Sequence, residues 1–139
     1  MAAHCDKRKQ LLKVLIVEDD FEIRESIKAE VSKFLGDDLS VVEANDGVEG
    51  LLHSSLEKFD VIFTDFNMPG LNGLELLEEV KGEACVNRLT PVIFLSAMKP
   101  ELKGSPGVFE NVYFIEKPWK TRHLKFIFNC CLKTRNDAA

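Results

Sequence analysis

Three acidic side chains, one hydroxyl and one ammonium stand where apolar runs stop. Glu18 and Asp19 follow Leu12–Val17, Asp65 follows Val61–Thr64, Ser96 follows Val92–Leu95, and Lys117 follows Val112–Ile115. Each has an ordinary structural reading. Glu18, Asp19 and Asp20 could be a solvated charge run or helix caps, Asp65 could open a turn with Asn67, Ser96 could cap a helix, and Lys117 could be a surface lysine before Pro118. Separate caps, however, have no reason to gather at one end of one sheet. Three carboxylates held together repel one another and raise at least one pKa unless a cation joins them. A hard divalent cation is therefore implied. Mg²⁺ suits the set, because it keeps several waters and takes one or two carboxylates plus a phosphoryl oxygen. With Mg²⁺ and Lys117 the three carboxylates are neutralised, so the added negative charge of an acyl phosphate on Asp65 would fall to the metal and Lys117. The expected chemistry is acceptance of a phosphoryl group.

The elements that must position these residues follow from hydrophobic periodicity. Five runs rich in Val, Ile, Leu and Phe read as strands: Leu12–Val17, Leu39–Val42, Val61–Thr64, Val92–Leu95 and Val112–Ile115. Several are apolar at nearly every position, as strands covered on both faces must be. Ile23, Ile27, Val31 and Leu35 recur at helical spacing, with Glu22, Arg24, Glu25, Lys28 and Lys33 on the other face and Gly36 closing the helix. Asn45 or Asp46 can cap a second helix whose inner stripe would be Val48, Leu51, Leu52 and Leu56. After the turn at Pro69-Gly70, Asn72 caps a third with Leu74, Leu77 and Val80 inward. The last helix spans about Thr121–Leu132, with Leu124, Ile127, Phe128 and Cys131 on one side and Phe126 nearly opposite. Alternating strands and helices call for a parallel sheet with helices on both faces, whose carboxyl edge is where sites form.

Composition excludes several classes. The chain has 139 residues, 45% hydrophobic and 29% charged, which suits one compact α/β domain with no separate output domain. Net charge is −5, so the surface repels phosphate backbones and anionic lipid, and nucleic acid is not an expected partner. No apolar run approaches the roughly 18–20 residues of a membrane span. Lys7, Arg8 and Lys9 before Leu11–Val17 resemble a signal peptide only briefly, because Lys13 breaks the run and Glu18-Asp19-Asp20 occupies the cleavage position. Cys5, Cys85, Cys130 and Cys131 form no C-x-x-C pair, which points to a reducing cytoplasm. His4, His53 and His123 have no ligand spacing for zinc.

Taken together, Val14–Asp20, Val61–Gly70 with Gly73, Phe94–Ala97 and Glu116-Lys117-Pro118 resemble the receiver domain of two-component response regulators, over about Leu12 to Leu132. The resemblance implies a CheY-like, flavodoxin-like (βα)5 fold: an α/β, doubly wound sandwich around a five-stranded parallel sheet of order 2-1-3-4-5. The receiver domain would occupy 11–133, between a basic polar tail, 1–10, and a polar tail, 134–139. Asp65 would be the phosphorylation site, taking phosphate from a sensor histidine kinase or phosphotransfer protein. Mg²⁺ would be held by Asp19, Asp65 and the backbone carbonyl of Asn67, with Glu18 acting through a water. Of the two frames for the acidic pair, Glu18/Asp19 is chosen over Asp19/Asp20 because it begins directly where the apolar strand ends. Ser96 and Lys117 would hold phosphoryl oxygens, and Ala97 would leave the group accessible. Such a protein is a cytoplasmic signalling phosphoacceptor that catalyses its own phosphorylation and dephosphorylation, and is not an enzyme in the usual sense.

The resemblance also implies a switch. Ser96 would be drawn to the phosphoryl group, and Phe114, at the aromatic switch position, would turn inward; Phe114 could equally be an ordinary sheet residue. Pro100, Gly104, Pro106 and Gly107 leave the fourth helix short or degenerate, a single turn near Pro100–Lys103 and then loop. Phe126 is either an accidental exposed aromatic or a contact with a downstream protein target or a homodimer through the fourth/fifth βα face. A haloacid-dehalogenase-type phosphatase also uses a strand-end Asp, but with a second carboxylate two residues on, where this chain has Asn67. A degenerate, phosphorylation-independent receiver is a further alternative, and a flavodoxin-like electron carrier lacks its phosphate loop.

Overall fold

A computed structural model of the chain describes residues 11–97 and 110–138. The five strands are β1 (Leu12–Val17), β2 (Leu39–Ala44), β3 (Val61–Asp65), β4 (Val92–Ser96) and β5 (Val112–Glu116). All pair in parallel, in the order β2-β1-β3-β4-β5 that the resemblance implies. β1 matches its expected run, and the other four strands continue one or two residues past theirs because the terminal residues stay in register: Asp65 lies opposite Leu95 and Ser96 opposite Glu116. The interior strands β3 and β4 are buried at every position, whereas β2 and β5 are mostly half-buried edges.

Helices α1 (Phe21–Leu35), α2 (Gly47–Leu56), α3 (Gly73–Val80) and α4 (Thr121–Ala138) cover the sheet. Alternation along each strand divides the core in two. Val14, Ile16, Val61, Phe63, Ile93 and Leu95 meet Ile27 and Val31 of α1 and Leu124 and Phe128 of α4. Leu15, Val17, Ile62 and Phe94 meet Leu76, Leu77 and Val80 of α3 on the other face. Among the described residues, no helix is long and apolar enough to cross a membrane.

Asp20, Asp46 and Asn72 cap α1, α2 and α3 with their side-chain oxygens, and Gly36 ends α1 with φ 58°. Capping therefore settles on Asp46 in preference to Asn45, and Asp20 has the cap role rather than a place in the acidic site. The α3 stripe rotates slightly: Gly73, Leu76, Leu77 and Val80 are buried and Leu74 is half-buried.

Two expected faces are corrected. Val48, Leu52 and Leu56 are not the inner stripe of α2; they are 65%, 56% and 73% exposed, while Gly47, Gly50 and Ser54 are buried. The reason is close approach: a Cβ on Gly50 would lie 2.7 Å from Val17 Cγ2, and one on Gly47 would strike the Leu71 carbonyl. In α1 the buried row is Arg24, Ile27 and Val31, with Ile23 only half-buried, so Arg24 does not belong to the solvent face. Finally, α4 continues past Leu132 to Ala138, so 134–138 are helical where a tail is expected; no Gly or Pro interrupts Lys133–Ala138. The expected turn at Pro100–Lys103 and the N-terminal tail lie outside the described residues.

Candidate functional site

Sheet order reverses between β1 and β3, where the chain leaves β1 to one side for β2 and returns on the other. The crevice beyond the carboxyl ends of these two strands is where an open parallel sheet leaves room for a ligand. Glu18 and Asp19 emerge there from β1, and Asp65 ends β3. Carboxylate oxygens of Glu18, Asp19 and Asp65 all lie within 4.8 Å of one another. Glu18 and Asp65 are buried, at 1% and 8% exposure, and Asp19 is exposed.

The backbone orients both buried acids. Asp20 N–H donates to Glu18 Oε2 at 3.1 Å, and Asn67 N–H donates to Asp65 Oδ1 at 3.2 Å. From β5, Lys117 brings its ammonium to 3.1 Å from Glu18 Oε1 and 3.4 Å from Asp65 Oδ2. The Lys117 N–H also donates to the Ser96 carbonyl at 2.7 Å, which ties the ends of β4 and β5 together just before the cis Lys117-Pro118 bond. Ser96 is buried at the end of β4, and Ala97 beside it is exposed.

One ammonium does not balance three carboxylates. Burial pushes the Glu18 carboxyl up to about 7, with the Asp65 charge and a hydrogen bond with the Asp19 side chain adding to the rise, against the Asp20 N–H and Lys117. A cluster of oxygen donors with this surplus of negative charge fits a hard divalent cation such as Mg²⁺.

Phe114 is half-buried in β5, its ring stacked on Phe94 with centroids 5.3 Å apart and planes at 18°. Phe66, directly after Asp65, meets the other side of this aromatic group edge-on to Phe94 at 5.3 Å. The aromatic row thus runs from the strand end that carries Asp65 to the edge strand β5.

Two contributors were not singled out from the sequence. Arg24 donates from Nη1 to the Glu18 carbonyl at 2.7 Å and from Nε to Glu43 Oε1 at 3.0 Å, so it braces the β1 end that presents the acidic pair. Its position three before Ile27 and seven before Val31 was the available signal. Trp119 joins Ile23, Ser26, Lys117 and Pro118 around a cavity of about 400 Å³ beside the site; only its neighbourhood to Lys117 marks it in the sequence.

Residues 14–129 match the family described as the response regulator receiver domain. A chemotaxis protein CheY homologue of Campylobacter jejuni is 41% identical over 117 residues, covering 82% of this chain and 87% of that protein. The transcriptional activator protein PfeR of Pseudomonas aeruginosa is 37% identical over 113 residues, 81% of this chain but 35% of its own length. CiaR, a transcriptional regulatory protein of Streptococcus pneumoniae, is 30% identical over 88% of this chain and 52% of its own length. The chain thus spans between about a third and a half of the transcriptional regulators it matches. Among solved structures, Vibrio cholerae chemotaxis protein CheY4 superposes with TM-score 0.71 at 27% identity, over 88% of this chain and 99% of that one. The receiver domain of the sensor histidine kinase PA1611 from Pseudomonas aeruginosa, solved with a magnesium ion coordinated in its active site cleft, has TM-score 0.71 at 25% identity, over 88% and 98% of the two chains.

Proposed function

The chain belongs to the response regulator receiver domain family, and from that premise we propose that it is a phosphoacceptor whose nucleophile is Asp65. The observation that carries this reading is the meeting of Glu18, Asp19, Asp65 and Lys117 beyond the ends of β1, β3 and β5. An Asp65 oxygen attacks the phosphorus of a phosphohistidine, an O–P bond forms, and the P–N bond breaks with its electron pair returning to the imidazole. Such transfer is mostly alignment and charge stabilisation. Asp19, Asp65 and the Asn67 carbonyl would hold Mg²⁺, with Glu18 reaching it through a water, and the ion would supply neutralisation of phosphoryl oxygens. Lys117 stabilises the same charge from the opposite side, and the Ser96 hydroxyl binds another oxygen. Water attack on the phosphorus then breaks the Asp65 O–P bond, releases inorganic phosphate and returns the carboxylate to its resting form.

Partners follow from this chemistry. A sensor histidine kinase or phosphotransfer protein must bring its imidazole to Asp65, and the apolar cavity around Ile23, Pro118 and Trp119 offers it purchase beside Lys117. Phosphorylation then biases a two-state equilibrium in which Ser96 moves toward the phosphoryl group and Phe114 repacks from its stack on Phe94. Without a tyrosine hydroxyl, that switch rests on packing alone. The exposed Phe126, 65% accessible on α4, supports readout by a contacting protein on the same flank.

Intact mass after incubation with a small phosphodonor tests the assignment, with and without Mg²⁺. A single phosphoryl adduct is expected that requires Mg²⁺ and disappears in Asp65→Asn. An adduct that survives the substitution removes Asp65 from the role.

A further inference from the structure

The apolar row that the packing of α2 leaves outside is self-complementary. Val48, Leu52 and Leu56 recur every four residues along one line of a ten-residue helix and are each more than half exposed. Such a row forms a ridge, the unit by which helices pack on one another. Glu49 and His53 flank it on one side, Leu51 and Ser55 on the other. Val86, half exposed, extends the apolar surface beyond Leu51 and Ser55, with which it lines a cavity of about 420 Å³.

We propose that α2 is the seam of a homodimer in which two copies lie antiparallel about a two-fold axis at Leu52. In that arrangement Leu52 meets its own counterpart and Val48 meets the partner's Leu56. A two-fold axis across the helices keeps each flank on its own side and reverses its direction, so Glu49 comes beside the partner's His53. Beyond the ridge, Asp46 comes opposite the partner's Lys58. The acidic residues of α2's entry therefore face the basic residues near its exit, and the helix dipoles oppose favourably. A parallel pair would gather both Asp46 carboxylates at one end of the seam and align the dipoles unfavourably. Charge thus selects the antiparallel register.

The seam is small. One ridge of a short helix buries less than the roughly 1,600 Å² of a standard stable interface, so association is weak and concentration-dependent, visible at protein concentrations on the order of 0.1–1 mM. This surface is separate from Phe126 on α4 and needs no phosphoryl chemistry.

Sedimentation velocity of the full chain over that range tests the proposal. The weight-average sedimentation coefficient should rise with concentration in the wild type and stay monomeric in Leu52→Glu, whose site is exposed and whose fold circular dichroism verifies. His53→Glu, which sets like charges side by side, should weaken association about tenfold, and adding Glu49→Lys should restore it to at least the wild-type level. A wild type that is monomeric throughout, a dimer unaffected by Leu52→Glu, or a double variant no better than His53→Glu each overturns the proposal.

Discussion

The Lys117 ammonium lies 3.1 Å from the Glu18 carboxylate, across 99 residues of sequence, and closes the acidic site from the side of β5. Both groups are largely withdrawn from water, so the pair holds its geometry in a way that an exposed ion pair does not. Replacing Lys117 by Met should slow phosphoryl uptake from a small phosphodonor by about 10²-fold or more, as removal of a preorganised charge partner does elsewhere. Lys117→Arg should recover part of the rate. A loss smaller than twofold in the Met variant would remove Lys117 from the transfer step.

The Glu18 carboxyl also sets a pH dependence. Its folded-state value of about 7 lies above the ordinary 4.5, so between these limits the folded chain retains a proton that the unfolded chain has shed. Metal-free stability therefore falls as pH rises through this window. Mg²⁺ relieves the repulsion, and its stabilisation should be fully present above pH 7 and fade as pH falls below it. Thermal melts with and without Mg²⁺ at pH 5.5 and pH 8 check this. Equal stabilisation at both would contradict it, and Asp19→Asn should abolish the effect at pH 8.

Asn87 should prove a keystone of stability outside the site. It is fully buried; its Nδ2 donates to the carbonyls of Ser54 and Glu57, and its Oδ1 accepts from Phe59 N–H. Asn87→Ala strands the Phe59 N–H and the Glu57 carbonyl and leaves the Ser54 carbonyl with only the weak Cys85 Sγ donor, a loss of about 3 kcal/mol. Urea unfolding should show a lower midpoint, while Mg²⁺ affinity of the folded fraction stays unchanged.

Gly50→Ala tests the seating of α2. Helix propensity alone favours Ala by about 1 kcal/mol, yet the new Cβ would meet the fully buried Val17 at 2.7 Å. Overpacking costs about 1–3 kcal/mol, so a net destabilisation is expected in denaturant titration. A more stable variant would show that α2 can lift off β1 freely.

Much of this was legible along the chain. The interior strands declared themselves because a strand covered on both faces is apolar at every position, and the cap at Asn72 because short polar side chains satisfy the open N–H groups of a helix start, whereas the structure chose Asp46 over Asn45 and gave Asp20 its cap role. The acidic site could be named because strand ends in a parallel sheet share one edge. The two helix faces were misread for one reason: apolar periodicity reports which residues prefer burial, not which side can approach the sheet. Glycine carries no such preference, so Gly47 and Gly50 were silent, and Arg24 looked like a solvent residue although it lies in line with Ile27 and Val31.

The amino-acid order by itself determined the alternation of strands and helices, the polar residues at the strand ends and a surplus of negative charge there, since these depend on local pattern and composition. Tertiary structure decided that Lys117 joins Glu18 and Asp65, that Arg24 braces the end of β1, and that the Val48–Leu52–Leu56 ridge faces outward. Contacts across many residues, and the side a helix turns to its sheet, are set by how closely backbones pack, which no local stretch of sequence records.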